Sequence, residues 1–186
     1  MFSGWEFVAV VLAVAYLLLA IRESVWCWPA GIVSSAIYLV LMARAALYME
    51  SSLQVFYIAV SGYGWWRWGR ATAQGLRIRT WSIRQHCAAL FAIGMVTVLN
   101  GKLLALWTAA ALPYVDAFVT WSSILTTWMV AQKILENWLY WFVIDSISVY
   151  VYLQRGLPLT AALFGLYLVM IIAGFRRWRR HQLAQA

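Results

Sequence analysis

Asn137-Trp-Leu-Tyr-Trp-Phe-Val-Ile-Asp-Ser-Ile-Ser-Val-Tyr-Val-Tyr-Leu153 is a run of 17 residues with one charged residue, Asp145, near its middle. No Gly or Pro interrupts it, and it lacks the alternation of a barrel strand. At 1.5 Å per residue such a helix is long enough to cross a hydrocarbon core of about 30 Å. In lipid, backbone groups must be satisfied within the segment, which leaves a helix as the solution.

Six further runs share this character: Trp5–Ile21, Val25–Ala43, Met49–Trp66, Cys87–Leu106, Leu112–Val130 and Leu157–Phe175, so that the seven measure 17 to 20 residues each. The whole chain of 186 residues is 65% hydrophobic, 17% aromatic and 11% charged, far from the quarter charged of a soluble domain. Three Pro, eleven Gly and two Cys exclude collagen-like, disordered and disulfide-scaffold classes. Cys27 and Cys87 show no metal-ligand spacing and are expected to be small buried apolar residues. Trp5–Ile21 has no basic stretch before it and carries Glu6, so it is expected to remain as a helix instead of being cleaved.

The net charge of +8 raises nucleic acid as a partner, but the basic residues fall between apolar runs, where membrane topology explains them. With seven spans, one side carries Arg22, Arg67, Arg70, Arg77, Arg79, Arg84, Lys133, Arg176, Arg177, Arg179 and Arg180. The other holds Arg44, Lys102 and Arg155, an 11 to 3 division of the fourteen. Positive-inside asymmetry then places the N-terminus outside and the C-terminus in the cytoplasm of a multi-pass inner-membrane protein.

The halves of the chain resemble each other. Trp26, Ser34 and Tyr38 match Trp138, Ser146 and Tyr150 at one offset. Tyr57, Gly64, Arg67 and Trp68 match Tyr167, Gly174, Arg177 and Trp178, and Glu6 matches Asp116. The expected architecture is all-α: two parallel three-helix repeats, residues 1–70 and 112–186, joined by a basic loop and a lone fourth helix over 71–111. Parallel repeats place a substrate path between them, which makes transport the default function.

Polar groups inside lipid are costly and face a cavity or a partner helix. Asp145 lies about 12 Å into its span by helical rise, with no Lys or Arg at that depth. Asn137, Trp141, Asp145 and Ser148 share one stripe of the sixth helix. Asp116, Thr120, Ser123 and Thr127 form a second on the fifth, and Gln54, Tyr57, Ser61 and Trp65 (or Gly64) a third. Hydroxyls alone can serve as packing glue, but amides, carboxylates and indoles together call for a wet pocket. A buried acid among aromatic faces suits a flat cation. Trp65 and Trp141 are the indoles expected at the site, whereas Trp5, Trp26, Trp28, Trp66, Trp68, Trp107 and Trp178 sit at span ends, as in interfacial belts. Gly62, Gly64 and Gly174 are expected where helices approach closely.

The stretch from Glu136 to Ser148 resembles the signature of the PnuC family of nicotinamide riboside transporters, as do Leu53-Gln-Val-Phe-Tyr-Ile-Ala-Val-Ser-Gly-Tyr-Gly-Trp-Trp-Arg-Trp68 and Pro113-Tyr-Val-Asp116. This resemblance implies a three-plus-one-plus-three fold, facilitated diffusion without ATP, trapping by a cytoplasmic kinase, and a homotrimer. It implies substrate contacts at Gln54, Tyr57, Asp116, Thr120, Asn137, Trp141 and Asp145, with no cofactor. Riboside-type members are expected to carry Asn where this chain has Asp145. Related members carry thiamine or riboflavin, and the acid favours thiamine. Nicotinamide riboside and thiamine are both cationic, whereas riboflavin is neutral and larger. A membrane-embedded enzyme is the rival class, but His86 and His181 lie at helix ends. No HExxH, GxSxG or facing Asp pair is present.

Overall fold

The computed structural model describes residues 4–44, 48–70, 76–108, 112–154 and 156–185, with side chains described throughout except at 48–50 and 159. Among the described residues there are seven helices: α1 Gly4–Ile21, α2 Cys27–Arg44, α3 Tyr48–Gly69, α4 Ile83–Trp107, α5 Pro113–Ala131, α6 Asn137–Gln154 and α7 Pro158–Ala184. They match the seven apolar runs to within a few residues, except at two ends. The helix of α4 begins four residues early, at Ile83, where the Gln85 side chain accepts from the Ser82 amide at 2.8 Å. α7 continues past the apolar run through its arginines to Ala184, because nothing in that stretch breaks a helix. Pro113 and Pro158 open α5 and α7 at the position where a missing N–H costs nothing.

Four helices, α1, α2, α4 and α7, are apolar enough by themselves to cross a membrane. The remaining three, α3, α5 and α6, fall short because they carry Gln54 and Ser61, the Ser122–Thr127 hydroxyls, and Asn137 with Asp145. Polarity lowers their hydropathy where they face one another inside the bundle.

Helix contacts close a ring. α1 packs on α2, α2 on α3, α3 on α5, α5 on α6, α6 on α7, and α7 back on α1. α4 stands outside and packs chiefly on α5, with the Tyr114 ring seated against Gly101, and reaches α6 where the His86 ring stacks on Tyr140. Exchanging α1–α3 for α5–α7 maps this ring onto itself.

Side chains fix the offset between the two halves at 110 residues. The Trp28 ring of α2 fills the groove at Gly64 of α3, and the Trp138 ring of α6 fills the groove at Gly174 of α7. A methyl built on either glycine would stand 2.5 Å from the indole. Gly62 meets nothing within 4 Å, so it provides no close approach. The match of Trp26 to Trp138 is therefore corrected: Trp26 is 66% exposed, and Trp28 is the buried equivalent. At this offset Asp145 corresponds to Ser35. Cys27 is buried, but Cys87 is exposed on α4.

Both α1 and α5 end in the same way. Glu23 N donates to Ala20 O and Ser24 N to Leu19 O, both at 3.0 Å. Lys133 N donates to Val130 O at 2.9 Å and Ile134 N to Met129 O at 3.0 Å. This is the two-bond helix stop that normally uses glycine in the left-handed conformation. Here Glu23 (φ 56°) and Lys133 (φ 54°) occupy it, the only positive-φ non-glycine residues among those described. Each conformation costs roughly 1 kcal/mol relative to glycine.

The segment entering α4 lies across the α5–α6 turn. Arg79 N donates to Lys133 O at 2.9 Å and Leu135 N to Arg79 O at 2.8 Å. Ile78 beside it is buried, and the Trp81 amide donates to Glu136 Oε2. Arg155 and the expected boundaries at residues 71 and 111 lie outside the described residues.

Candidate functional site

All six ring helices contribute to one cavity of about 280 Å³. α1 supplies Tyr16; α2 supplies Gly31, Ser34, Ser35 and Tyr38; α3 supplies Gln54, Tyr57 and Ser61. Thr127 comes from α5, Trp138, Trp141 and Asp145 from α6, and Phe164 and Tyr167 from α7. The volume approaches the lower end for small-molecule sites, and the lining is the usual apolar wall with a few convergent polar groups.

Among the described residues of this lining Asp145 is the only acid, and none is Lys, Arg or His. The residue is 5% exposed, and neither ion pair found among the described residues involves it. Tyr57 and Tyr167 line the same cavity, one from each half of the ring. When ionised, a carboxyl placed this way, among phenol and indole rings, would form the negative pole of an aromatic box. Such a box attracts a cation through both its charge and its ring faces, most strongly where water is excluded.

Hydroxyls on α5 and α6 are partly absorbed by their own helices. Thr127 Oγ1 donates to Ser123 O at 2.8 Å, Thr126 Oγ1 to Ser122 O at 2.6 Å, and Ser148 Oγ to Ile144 O at 3.0 Å. Ser34 Oγ reaches across to Ala9 O at 2.9 Å and ties α2 to α1. The amide of Gln54, the hydroxyls of Tyr16, Ser35, Tyr38, Tyr57, Ser61 and Tyr167 and the indole N–H groups of Trp138 and Trp141 add further polar edges to the lining.

Beneath the cavity, at the end of the bundle that carries most arginines, four indoles form a seal. Trp28, Trp68, Trp138 and Trp178 are all buried. Ring centroids lie 5.3 Å apart for Trp28 and Trp68, 6.2 Å for Trp68 and Trp178, and 5.4 Å for Trp138 and Trp178. Two of the contacts are edge-to-face, a favourable arrangement of ring quadrupoles. Trp68 Nε1 donates to Ala131 O and Trp178 Nε1 to Ala20 O, both at 3.1 Å. Each bond runs from the third helix of one half to the end of the first helix of the other. Trp28, Trp68 and Trp178 thus belong to an internal layer and not to an interfacial belt.

Of the residues expected from the sequence, Gln54, Tyr57, Trp141 and Asp145 meet at the cavity. Four do not. Trp65 is 46% exposed and turns outward, because the inward register of α3 continues through Ser61, Gly64 and Trp68. Asn137 is fully buried in the α5–α6 turn, where Nδ2 donates to Ile134 O at 2.6 Å. Asp116, in the first turn of α5, and Thr120, one turn on, do not line the cavity. Sequence reasoning missed Tyr16, Tyr38, Trp138, Phe164 and Tyr167. Tyr167 was within reach, since it pairs with Tyr57 at the 110 offset.

This division gives a direct test. Trp141→Ala is expected to weaken ligand binding about tenfold through lost ring contact and lost cation attraction. Trp65→Ala should leave affinity within about twofold. Equilibrium binding to both variants in detergent checks it; equal losses would mean that the cavity is not where the ligand sits.

A family model described as nicotinamide mononucleotide transporter matches residues 3–180. The riboflavin/roseoflavin transporter RibM of Streptomyces davaonensis is 28% identical over 182 residues, covering 93% of this chain and 83% of that protein. The nicotinamide riboside transporter PnuC of Escherichia coli is 26% identical over 176 residues, covering 80% of this chain and 73% of that one. Among solved structures, the crystal structure of the vitamin B3 transporter PnuC superposes with a TM-score of 0.78 at 20% identity, covering 96% of this chain and 82% of that one. The ring of six helices with a lone helix outside it is therefore the fold of a known membrane carrier, and the chain belongs to the nicotinamide mononucleotide transporter family, the PnuC-type vitamin transporters.

Proposed function

We propose that this protein imports a small, flat, positively charged vitamin by facilitated diffusion, with nicotinamide riboside as the first substrate. The observation that carries this reading is Asp145, an acid among aromatic rings in a cavity whose described lining residues include no basic side chain. A pyridinium ring would satisfy that charge, and Gln54, Ser35 and Ser61, which line the same cavity, would meet ribose and carboxamide edges. Thiamine is the second reading. Its thiazolium supplies the cation, and its aminopyrimidine donates to a carboxylate better than to an amide. Riboflavin has no positive charge and the bulkiest ring system of the three, so the cavity favours it least.

A phosphorylated vitamin is a poor guest. Its two negative charges would face Asp145 with no Lys or Arg among the described lining residues to offset them, and like charges at close quarters cost several kcal/mol. Nicotinamide mononucleotide is thus expected to bind at least about a hundredfold more weakly than the riboside. Phosphorylation by a cytoplasmic kinase after entry would then trap the vitamin, because the product no longer fits.

Transport follows from rocking of α1–α3 against α5–α7 around the fixed cavity, with access alternating between the two ends. The arginine-rich end faces the cytoplasm by the positive-inside rule, with the N-terminus outside. Carriage is favoured over catalysis because the two aspartates cannot act together: Asp145 lines the cavity and Asp116 does not. Purified protein in ATP-free liposomes tests the reading. Labelled riboside should equilibrate across the membrane and be displaced by excess riboside or thiamine but not by the mononucleotide. Chemical turnover without accumulation would overturn it.

A further inference from the structure

The cavity is sealed at the arginine-rich end by the four indoles, yet something outside them also crosses the ring. Lys133 Nζ lies 2.6 Å from Glu23 Oε2, with both side chains largely shielded from solvent. The second oxygen of Glu23 meets His181 Nδ1 of α7. Lys133 Nζ also stands 4.8 Å from the centroid of Trp68, a member of the seal.

Glu23 and Lys133 occupy equivalent places in the two halves, 110 residues apart. Both hold the left-handed conformation that a helix stop ordinarily gives to glycine. Stopping a helix explains neither residue, since glycine would do it with less strain. What glycine lacks is a side chain to reach across the ring, and here the two strained positions carry opposite charges that meet. Strain kept at paired positions points to a role in switching.

The two turns are also held differently. The α5–α6 turn is tied down by the strand-like segment at Arg79, which bonds to both Lys133 O and Leu135 N. Bonds that leave the α1–α2 turn for the other half run from Glu23 to Lys133 and His181, and from Ala20 O to Trp178.

We propose that the Glu23–Lys133 ion pair is the latch that holds this end of the ring shut, with Lys133 on the anchored side and Glu23 on the side that lifts away. The proposal rests on the carrier reading above.

Native Cys27 provides the reporter. It is fully buried at the start of α2, within electrostatic reach of Lys133, and becomes accessible only if the α1–α2 turn lifts. In a Cys87→Ser background, in lipid nanodiscs without vitamin, the labelling rate of Cys27 by a membrane-impermeant maleimide measures that opening. Glu23→Gln and Lys133→Met should each label about tenfold faster or more, because each breaks a shielded pair. Removing a nearby cation slows a thiol intrinsically, so faster labelling in Lys133→Met reports access and not reactivity. The double variant should stay within about twofold of the faster single, as expected for two residues acting on each other. Lys133→Arg, which keeps the charge, should remain within about threefold of the parent.

Parent rates in both single variants would overturn the latch. So would effects that multiply in the double variant, or Lys133→Arg labelling as fast as Lys133→Met. Near-UV circular dichroism of the indole layer confirms folding before labelling, and the nearly isosteric Glu23→Gln carries the test if Lys133→Met does not fold. Because no vitamin is present, these rates are independent of the substrate: failed liposome uptake would count against the carrier reading and leave the labelling result standing.

Discussion

Replacing Asp145 by asparagine is expected to weaken thiamine binding about a hundredfold and nicotinamide riboside binding no more than about tenfold. Asparagine keeps the size and the carbonyl oxygen of the acid and removes its charge. For either vitamin the loss includes the attraction between carboxylate and ring cation, which is large because the residue is buried and the described lining residues include no competing base. Thiamine loses more, since its amino group donates to a carboxylate in a charge-assisted bond roughly twice as strong as a neutral one. The riboside recovers part of its loss, because its own carboxamide can exchange two hydrogen bonds with the new amide. Competition binding with both vitamins on the parent and on Asp145→Asn reads the ratio. If both affinities are unchanged, Asp145 is not a ligand contact and the cation reading fails.

Gly174→Ala is expected to destabilise the protein by about 2 kcal/mol and to lower vitamin affinity about tenfold, whereas Gly64→Ala should produce the first effect without the second. In an open helix position the same change stabilises by roughly 0.5–1 kcal/mol, through lost chain entropy. At these two glycines the added methyl would stand 2.5 Å from an indole that is itself fully packed. Trp28 and Trp138 cannot retreat without disturbing Trp68 and Trp178, so the strain of overpacking exceeds the entropic gain. The difference in binding arises because Trp138 lines the cavity and Trp28 does not. Gly165→Ala, where the methyl meets nothing within 4 Å, is the matched control. Thermal unfolding in detergent and equilibrium binding measure the two effects separately. A Gly174→Ala protein as stable as Gly165→Ala would refute the close packing.

Helix number and limits were readable from the chain because lipid imposes a length of apolar sequence that few other structures share. Asp145, Trp141, Gln54 and Tyr57 were readable for a related reason: a polar residue deep in such a run needs company, and helical spacing shows which face provides it. Trp65 was misplaced because steps of three and four drift relative to the helix, and both Gly64 and Trp65 fit the stripe. The deciding fact is tertiary, the Trp28 ring filling the groove at Gly64. Tyr16, Tyr38 and Phe164 went unseen because an aromatic residue in a strongly apolar helix looks the same whether it faces lipid, core or cavity. Asn137 looked like a cavity residue but serves a turn, a hydrogen bond that spacing cannot show. The ion pair of Lys133 with Glu23 was equally hidden, since nothing local marks a loop lysine as buried.

The equivalence of Asp145 with Ser35 has a consequence for how a guest is seated. A ring built from two like halves offers two berths related by a half-turn, and unbroken duplication would let a molecule lie either way round or admit two at once. Charging one berth and leaving a hydroxyl in the other removes that ambiguity. On the cation reading proposed above, the passage would take one passenger at a time, its charge to the same wall, so that an almost even shape handles an uneven molecule in a single pose.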